Sequence, residues 1–102
     1  MTNDYSNNSF VVNDEKKRFE LSIDNHIAFI EFIINNEKII FLTHTEVPQE
    51  LEGKGVGTAI VAKTLNYSKE NNYTVAPLCP FIAKYIKKHP EWQNILAKGY
   101  HV

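Results

Sequence analysis

The sequence predicts an α/β protein: a single domain with one mixed sheet, in which antiparallel hairpins precede a β-α-β-α unit and helices pack on the sheet. Segment 18–47 contains three runs of strand-forming residues, whereas segment 56–96 alternates helical and strand patterns. The chain has 102 residues, the length of one domain. It is 43% hydrophobic, and a chain of this length buries enough of its surface to form a core without a disulfide or structural metal.

The composition argues against several classes of partner. Eleven Lys and Arg against twelve Asp and Glu give a net charge of -1, whereas non-specific nucleic-acid binding requires a strongly basic chain. The apolar run over 27–34 is interrupted by Glu31 and is far shorter than the ~20 residues of a membrane span. Residues 1–4 lack the basic and apolar regions of a secretory signal, and Cys79 is the single cysteine. We therefore expect a cytoplasmic protein with no nucleic-acid, membrane or metal partner.

The first elements follow from local patterns. Residues 1–9 are polar and aperiodic, which predicts a flexible tail ahead of a domain spanning 10–102. Residues 10–12 are a candidate extra strand. Arg18–Ile23 alternates polar and apolar residues, as a half-buried strand does. Asp24-Asn25 is a two-residue hairpin turn, since both residue types tolerate left-handed backbone conformations.

Two further strands are predicted before the first proline. Both faces of His26–Ile34 are mostly apolar, which predicts a central strand covered on both sides. Segment 38–47 is the next strand, ended by Pro48. Simple alternation puts Ile40, Leu42, His44 and Glu46 on one face of that strand, and Ile39, Phe41, Thr43, Thr45 and Val47 on the other.

A crossover unit completes the chain. A glycine-rich turn over 51–58 leads into a helix over 56–71, and 73–78 is a strand that the crossover makes parallel to its predecessor. Pro80 is a favoured first residue of a helix, and Pro90 ends that helix before a last turn over 91–96.

The glycine turn has the composition of an anion site. Gly53, Gly55 and Gly57 are three of the four glycines in the chain, and they precede the unpaired N–H groups of a helix start. This favours a phosphate ligand over an ordinary tight turn. The spacing fits neither a P-loop, because Lys54 is misplaced, nor a dinucleotide fingerprint, which lacks its third glycine.

Three blocks in a fixed order carry a family resemblance. They are Thr-His-Thr-Glu-Val-Pro at 43–48, Leu-Glu-Gly-Lys-Gly-Val-Gly at 51–57, and Pro-Leu-Cys-Pro-Phe at 77–81, followed by Tyr85 and by His-Pro-Glu-Trp at 89–92. Together they resemble the small, single-domain branch of the GNAT N-acetyltransferases over about residues 18–96. The resemblance implies acetyl-CoA (coenzyme A) as cofactor and an amine as acceptor.

The resemblance also implies positions for the cofactor. The turn binds the CoA pyrophosphate through backbone N–H groups, and the preceding strand pairs with the pantetheine arm. The cofactor-binding residues that it implies are Glu46, Val47, Gly53, Lys54, Gly55, Val56, Gly57, Thr58, Cys79 and Phe81. Two features depart from the family: Glu52 stands where Gln or Arg is usual, and the long helical segment after the first strand is missing, which leaves the acceptor cleft open.

Four residues are candidates for the chemistry. Glu46 and His44 are two residues apart on one strand, so either can accept the proton of an amine; the alternative is a packed histidine and a solvated carboxylate. Cys79 stands at the N-cap of the last helix, where a cysteine can become reactive, or it is a small buried filler. The resemblance implies that Tyr85 protonates the CoA thiolate; a core aromatic explains it equally well.

The polar side of the last helix is open to two interpretations. Lys84, Lys87 and Lys88 either meet the 3′-phosphate of CoA or form a solvated face. The function that results is an N-acetyltransferase acting on a small-molecule amine or an exposed lysine. Direct transfer in a ternary complex is favoured over an acetyl-Cys79 intermediate. The alternative function is a non-catalytic CoA-binding module, a sensor or partner-binding protein.

Overall fold

Five strands form one sheet in the computed structural model of the chain, which describes residues 5–102. The strands are β1 (Phe10–Asn13), β2 (Arg18–Ile23), β3 (His26–Ile34), β4 (Ile39–Glu46) and β5 (Thr74–Pro77). They lie side by side in chain order; β1 to β4 are antiparallel, and β5 is parallel to β4. The helices are α1 (Val56–Glu70) and α2 (Pro80–Lys88). The predicted α/β fold with a mixed sheet is confirmed.

The turns are formed by residues that tolerate positive φ. Asp24 and Asn25 have φ values of 51° and 66°, the conformation of a type I′ turn that matches the twist of the hairpin. The β4–α1–β5 crossover is needed because parallel neighbours cannot be joined by a tight turn. As predicted, α2 begins at Pro80 and ends immediately before His89 and Pro90.

Both helices pack on the same face of the sheet. Their buried residues Ile60, Leu65 and Ile82 belong to one cluster with Phe19 of β2 and Leu42 of β4, and all five are 0% exposed. We call this side the core face. The crossover places α1 on one side of the sheet, and α2 lies on the same side because Ile82 packs into the same cluster.

The prediction that β3 is covered on both sides is wrong. Ala28 and Ile30 are 0% exposed on the core face, whereas Ile27 is 43% and Ile33 61% exposed on the opposite face. The chain has only two long helices in its described part, and both lie on the core face. We call the uncovered side the open face.

A β-bulge in β4 overturns the simple alternation predicted for that strand. Glu31 pairs with His44, but the next residue, Phe32, pairs with Leu42, so Thr43 is an extra residue. One extra residue moves every following side chain to the other face. Thr45 is therefore on the core face, with Ile40 and Leu42. The open face carries Phe41, His44 and Glu46, whereas the prediction grouped His44 and Glu46 with Ile40 and Leu42.

The ends of the described chain contact the domain. Residues 1–4 of the predicted flexible tail lie outside the described residues. Tyr5 donates a hydrogen bond from its hydroxyl to the Lys54 carbonyl oxygen at 2.6 Å, and the Asn8 side chain donates to the Ser22 carbonyl oxygen. Residues 5–9 are thus attached to the domain, while the boundary at residue 9 stays a prediction.

The C-terminal segment borders β5. A 3₁₀ helix over Pro90–Ile95 leads to Leu96, which forms a parallel bridge with Val75, and the Ala97 N–H donates to the Val75 carbonyl oxygen at 2.8 Å. This segment occupies the outer edge of β5. In the described part of the chain, neither α1 nor α2 has the length and apolar character to cross a bilayer.

Candidate active site

Strands β4 and β5 separate near the bulge. Their last pair is Leu42 with Pro77, and the N–H groups of both Leu78 and Cys79 donate to the single Leu42 carbonyl oxygen at 3.0 Å. Strand β4 continues to Glu46 with β3 on one side and, among residues 5–102, no strand on the other. A stretch of β4 backbone is therefore available to pair with a ligand.

The glycine turn ends next to this unpaired edge. Gly53 and Gly55 have φ values of 76° and 75°, which favour glycine, and Gly55 is the N-cap of α1. The first helical hydrogen bond runs from the Ala59 N–H to the Gly55 carbonyl oxygen. The N–H groups of residues 56–58 therefore have no acceptor within the helix, and the helix dipole adds partial positive charge there. The turn has the geometry of an anion cradle.

Gly57 allows three elements to meet. A Cβ at this position would lie 2.9 Å from Cζ of Phe81 and 3.6 Å from Cγ2 of Val47. A side chain would therefore push the Phe81 ring away from the start of α1. The sequence predicted Gly57 as a residue that faces phosphate; the structure adds that it lets α1 contact α2 and the end of β4.

Three surface cavities adjoin one another around the Phe81 ring, and together we call them the groove. The first, about 240 Å³, follows the glycine turn and is lined by Val47, Leu51, Glu52, Gly53, Gly55, Val56, Gly57, Thr58 and Phe81. The second, about 310 Å³, is lined by Thr45, Glu46, Val47, Glu52 and Phe81. The third, about 330 Å³, is lined by Thr58, Phe81, Lys84, Tyr85, Lys88 and His89.

The groove contains most of the predicted cofactor-binding residues. Of that set, Lys54 and Cys79 are missing from the three linings. The charges differ along the groove: Glu52 lines the first and second cavities, whereas Lys84 and Lys88 line the third. Lys87 lies apart from the groove and lines, with Lys84 and Lys88, a separate cavity of about 540 Å³.

His44 and Glu46 form a dyad on the open face. His44 Nε2 and Glu46 Oε1 are 2.9 Å apart, and each side chain is about half exposed. With the proton on Nε2, His44 donates to Glu46, and its Nδ1 is left as a proton acceptor. A carboxylate that orients an imidazole is a common arrangement for a general base. The prediction that these two residues share a face of β4 is confirmed; their role stays a prediction.

Cys79 lies on the other side of β4. It is 7% exposed, caps the start of α2 without a side-chain cap bond, and has its Sγ 3.5 Å from Thr45 Oγ1. Glu46 and Cys79 therefore lie on opposite faces of the strand. Sequence reasoning missed Thr45. No local signal gives this placement, because the bulge that turns Thr45 to the core face shows only in the register against β3.

Tyr85 lies at the end of the groove away from the dyad. Its ring stacks on His89 with centroids 4.3 Å apart. Burial raises the pKa of the Tyr85 phenol, the negative charge of Glu91 raises it further, and a hydrogen bond with Trp92 opposes both effects. The phenol therefore keeps its proton at neutral pH. Tyr85 lines the third cavity and Glu46 the second, so its assignment as acid for the thiolate stays a prediction.

Comparison with known proteins identifies the class. A family model described as GCN5-related N-acetyl-transferase matches residues 18–95, most of the chain. The solved structure of a GCN5-like protein from Staphylococcus aureus, named for N-acetyltransferase activity, superposes with a TM-score of 0.68 at 26% identity and covers 90% of each chain. The protein thus has the N-acetyltransferase fold, and it belongs to the GCN5-related N-acetyltransferase family.

Curated relatives share most of their length with this chain. Protein NATD1 of Xenopus tropicalis is 26% identical over 88 residues, which are 80% of this chain and 79% of the relative. Protein NATD1 of Gallus gallus is 26% identical over 85 residues, 78% of this chain and 76% of the relative. The resemblance inferred from the three sequence blocks is confirmed at the level of the family.

Proposed function

We propose that the protein is an N-acetyltransferase that binds acetyl-CoA in the groove and transfers the acetyl group to a primary amine. One observation carries the proposal: the groove connects the free N–H groups at the start of α1 with the unpaired edge of β4, and the His44–Glu46 dyad lies on that strand. A diphosphate fits the first feature, an amide-bearing arm the second, and a proton transfer the third.

The residues present fit acetyl-CoA in shape and mostly in charge. A Cβ added at Gly53 would meet nothing within 4 Å, so the space in front of the turn is open to a ligand. Residues 56–58 offer N–H donors, and Lys84 and Lys88 supply positive charge at the third cavity. Glu52 is the exception, since this residue lines the first cavity and its negative charge would repel a diphosphate.

The candidate catalytic residues lie on two sides of β4, with the His44–Glu46 dyad on the open face and Cys79 on the core face. Bound acetyl-CoA would supply a thioester carbonyl that an amine nitrogen attacks; the new C–N bond replaces the C–S bond, and the CoA thiolate leaves. The His44–Glu46 dyad accepts the proton that the amine loses. Cys79 is 7% exposed and absent from the lining of the groove, which supports direct transfer over an acetyl-Cys79 intermediate.

A matched pair of glycine variants tests binding. Gly53 and Gly99 have φ values of 76° and 89°, and a Cβ at either would meet nothing within 4 Å. Gly53→Val and Gly99→Val therefore carry similar backbone strain, about 1–3 kcal/mol. Only Gly53 lines the groove. Titration calorimetry with acetyl-CoA should show at least a tenfold loss of affinity in Gly53→Val alone. Equal affinities in the two variants would remove the turn from the site.

Substitution of the dyad tests transfer. Glu46→Gln should lower kcat by roughly 10²–10⁴, the contribution of a general base, while acetyl-CoA still binds. Glu70→Gln, at the exposed end of α1, is the control and should behave like the wild type. Acetylated products are read by mass spectrometry with a panel of amines. Binding of acetyl-CoA without transfer to any amine would favour the non-catalytic module instead.

A further inference from the structure

The open face of β3 presents one continuous stripe. Ile27, Phe29, Glu31 and Ile33 are spaced two residues apart and project from the same side of the strand. Ile27 is 43% and Ile33 61% exposed, and neither helix covers this side. At about 3.3 Å per residue the stripe is roughly 20 Å long. Exposed apolar side chains in such an arrangement are characteristic of a binding surface.

The stripe leads directly to the His44–Glu46 dyad. In the register of β3 and β4, Glu31 pairs with His44 and Phe29 pairs with Glu46. The rings of Phe29 and His44 have centroids 6.4 Å apart. This placement depends on the bulge at Thr43, because in a regular strand of the same sequence His44 and Glu46 would lie on the same face as Leu42 and point into the core.

The charge around the dyad is negative. Arg18 of β2 stands directly opposite Glu31 in the register. Its Nε hydrogen-bonds to Glu20, and its guanidinium lies over the Phe29 ring, 4.1 Å from the centroid. One cation therefore faces the three carboxylates of Glu20, Glu31 and Glu46. Within residues 5–102, Glu31 has no ion pair. The carboxylates of Glu31 and Glu46 therefore attract a cation to the side of β4 on which the dyad lies.

We propose that the open face binds the acceptor as an extended polypeptide, with Glu31 drawing a lysine ammonium toward the dyad. Apolar side chains of the polypeptide lie on Ile27 and Ile33, the exposed apolar residues at the two ends of the stripe. The proposal rests on the proposed function and assigns its substrate class. An exposed stripe of roughly 20 Å matches about six residues of extended chain, whereas a small amine would leave most of that surface in water. Glu31 is a specificity-determining residue in this arrangement.

Binding is measured apart from catalysis. The probe is an N-acetylated, C-amidated heptapeptide with one central lysine between apolar residues; its control has norleucine, which lacks the charge. Amide shifts are followed by NMR in the presence of CoA. The lysine peptide should shift residues 27–33 and 44–46. Glu31→Gln or norleucine should weaken binding roughly threefold to fivefold, as expected for an exposed ion pair. Glu37→Gln, in an exposed turn, is the matched control.

Two results would overturn the proposal. One is a set of peptide shifts confined to other surfaces; the other is equal binding by the Glu31→Gln and Glu37→Gln variants. These outcomes are independent of transfer, so a failure of the proposed function, seen as absent acetyl-CoA binding in calorimetry, is distinguishable from a failure of this surface.

Kinetic measurements distinguish a polypeptide acceptor from a small amine. The free diamine 1,5-diaminopentane carries the same ammonium without the polypeptide. The peptide should have the higher kcat/KM, and Glu31→Gln should raise its KM with little change in kcat. A higher kcat/KM for the diamine would show that the acceptor is a small amine and would reject the polypeptide.

Discussion

The two halves of β4 differ in how they pair with neighbouring strands. The first half belongs to the core of the sheet, and the second half belongs to the candidate active site. Residues 39–42 pair with β3 on one side and β5 on the other, and Ile40 and Leu42 are 0% exposed. Residues 43–46 begin with a bulge, pair with β3 alone, and carry an exposed histidine and glutamate. One strand therefore contributes both to the core and to a reactive edge.

The comparison shows what a site in a sheet requires. A fully paired strand has no backbone donor or acceptor left for a ligand. Where β5 turns away after Pro77, the backbone of β4 becomes available, and the bulge turns His44 and Glu46 to the open face at the same point. The loss of pairing and the change of face together create the site.

Leu42→Ala weakens the paired half. Leu42 is 0% exposed within the main cluster, so truncation leaves a cavity and should cost about 2–5 kcal/mol. Urea unfolding followed by circular dichroism provides the value. Acetyl-CoA affinity below the melting range should stay near that of the wild type. A parallel loss of affinity would show that the two halves are not separable.

Glu20→Gln tests a paired carboxylate on the open face. A hydrogen bond from Arg18 holds the pKa of Glu20 below its usual range; burial opposes this effect, and Asn13 adds a second hydrogen bond. Because the pKa of Glu20 is lower in the folded protein than in the unfolded chain, its carboxylate stabilises the fold at pH values above the unfolded pKa. This stabilisation is lost as the pH falls through the folded pKa.

The glutamine variant should therefore be less stable at neutral pH, by about 1.5–3 kcal/mol, and should converge with the wild type in acid. Urea unfolding at neutral pH and at pH values below the usual range of a glutamate compares the two. A difference that does not shrink in acid would mean that the charge of Glu20 is not what stabilises the strand.

Thr45→Val has the smallest expected effect. The variant keeps the shape of the side chain and removes the hydroxyl that lies 3.5 Å from Cys79 Sγ. Hydrogen bonds of sulfur are weak, so the free energy of unfolding should change by less than about 1 kcal/mol. Urea unfolding tests this. A larger loss would indicate that the Thr45–Cys79 contact contributes to the core.

Local chemistry made much of the fold predictable. Alternation located β2, the Asp24-Asn25 turn requires residues that accept positive φ, and Pro80 and Pro90 marked the two ends of α2. Each of these features depends on residues close together in the chain. The same holds for His44 and Glu46, whose two-residue spacing was enough to predict that they lie on one face of the strand.

Features that depend on distant partners were not predictable in the same way. Apolarity on both faces of β3 suggested two covering layers, but coverage depends on where α1 and α2 pack, and both lie on one face. The bulge shows only in the register against β3, and the Tyr5 contact with Lys54 joins residues 49 apart. No short window of sequence contains these relations.

The chain-order arrangement of the sheet has a consequence for synthesis on the ribosome. Because the strands lie in the order β1-β2-β3-β4-β5, each new strand can pair with the strand before it as it emerges. Until α1 is translated and β5 arrives, β4 is a bare edge that a second nascent chain could extend. The nascent chain is therefore most prone to aggregation after β4 has emerged and before α1 and β5 are in place. Its need for chaperones should be greatest at that stage.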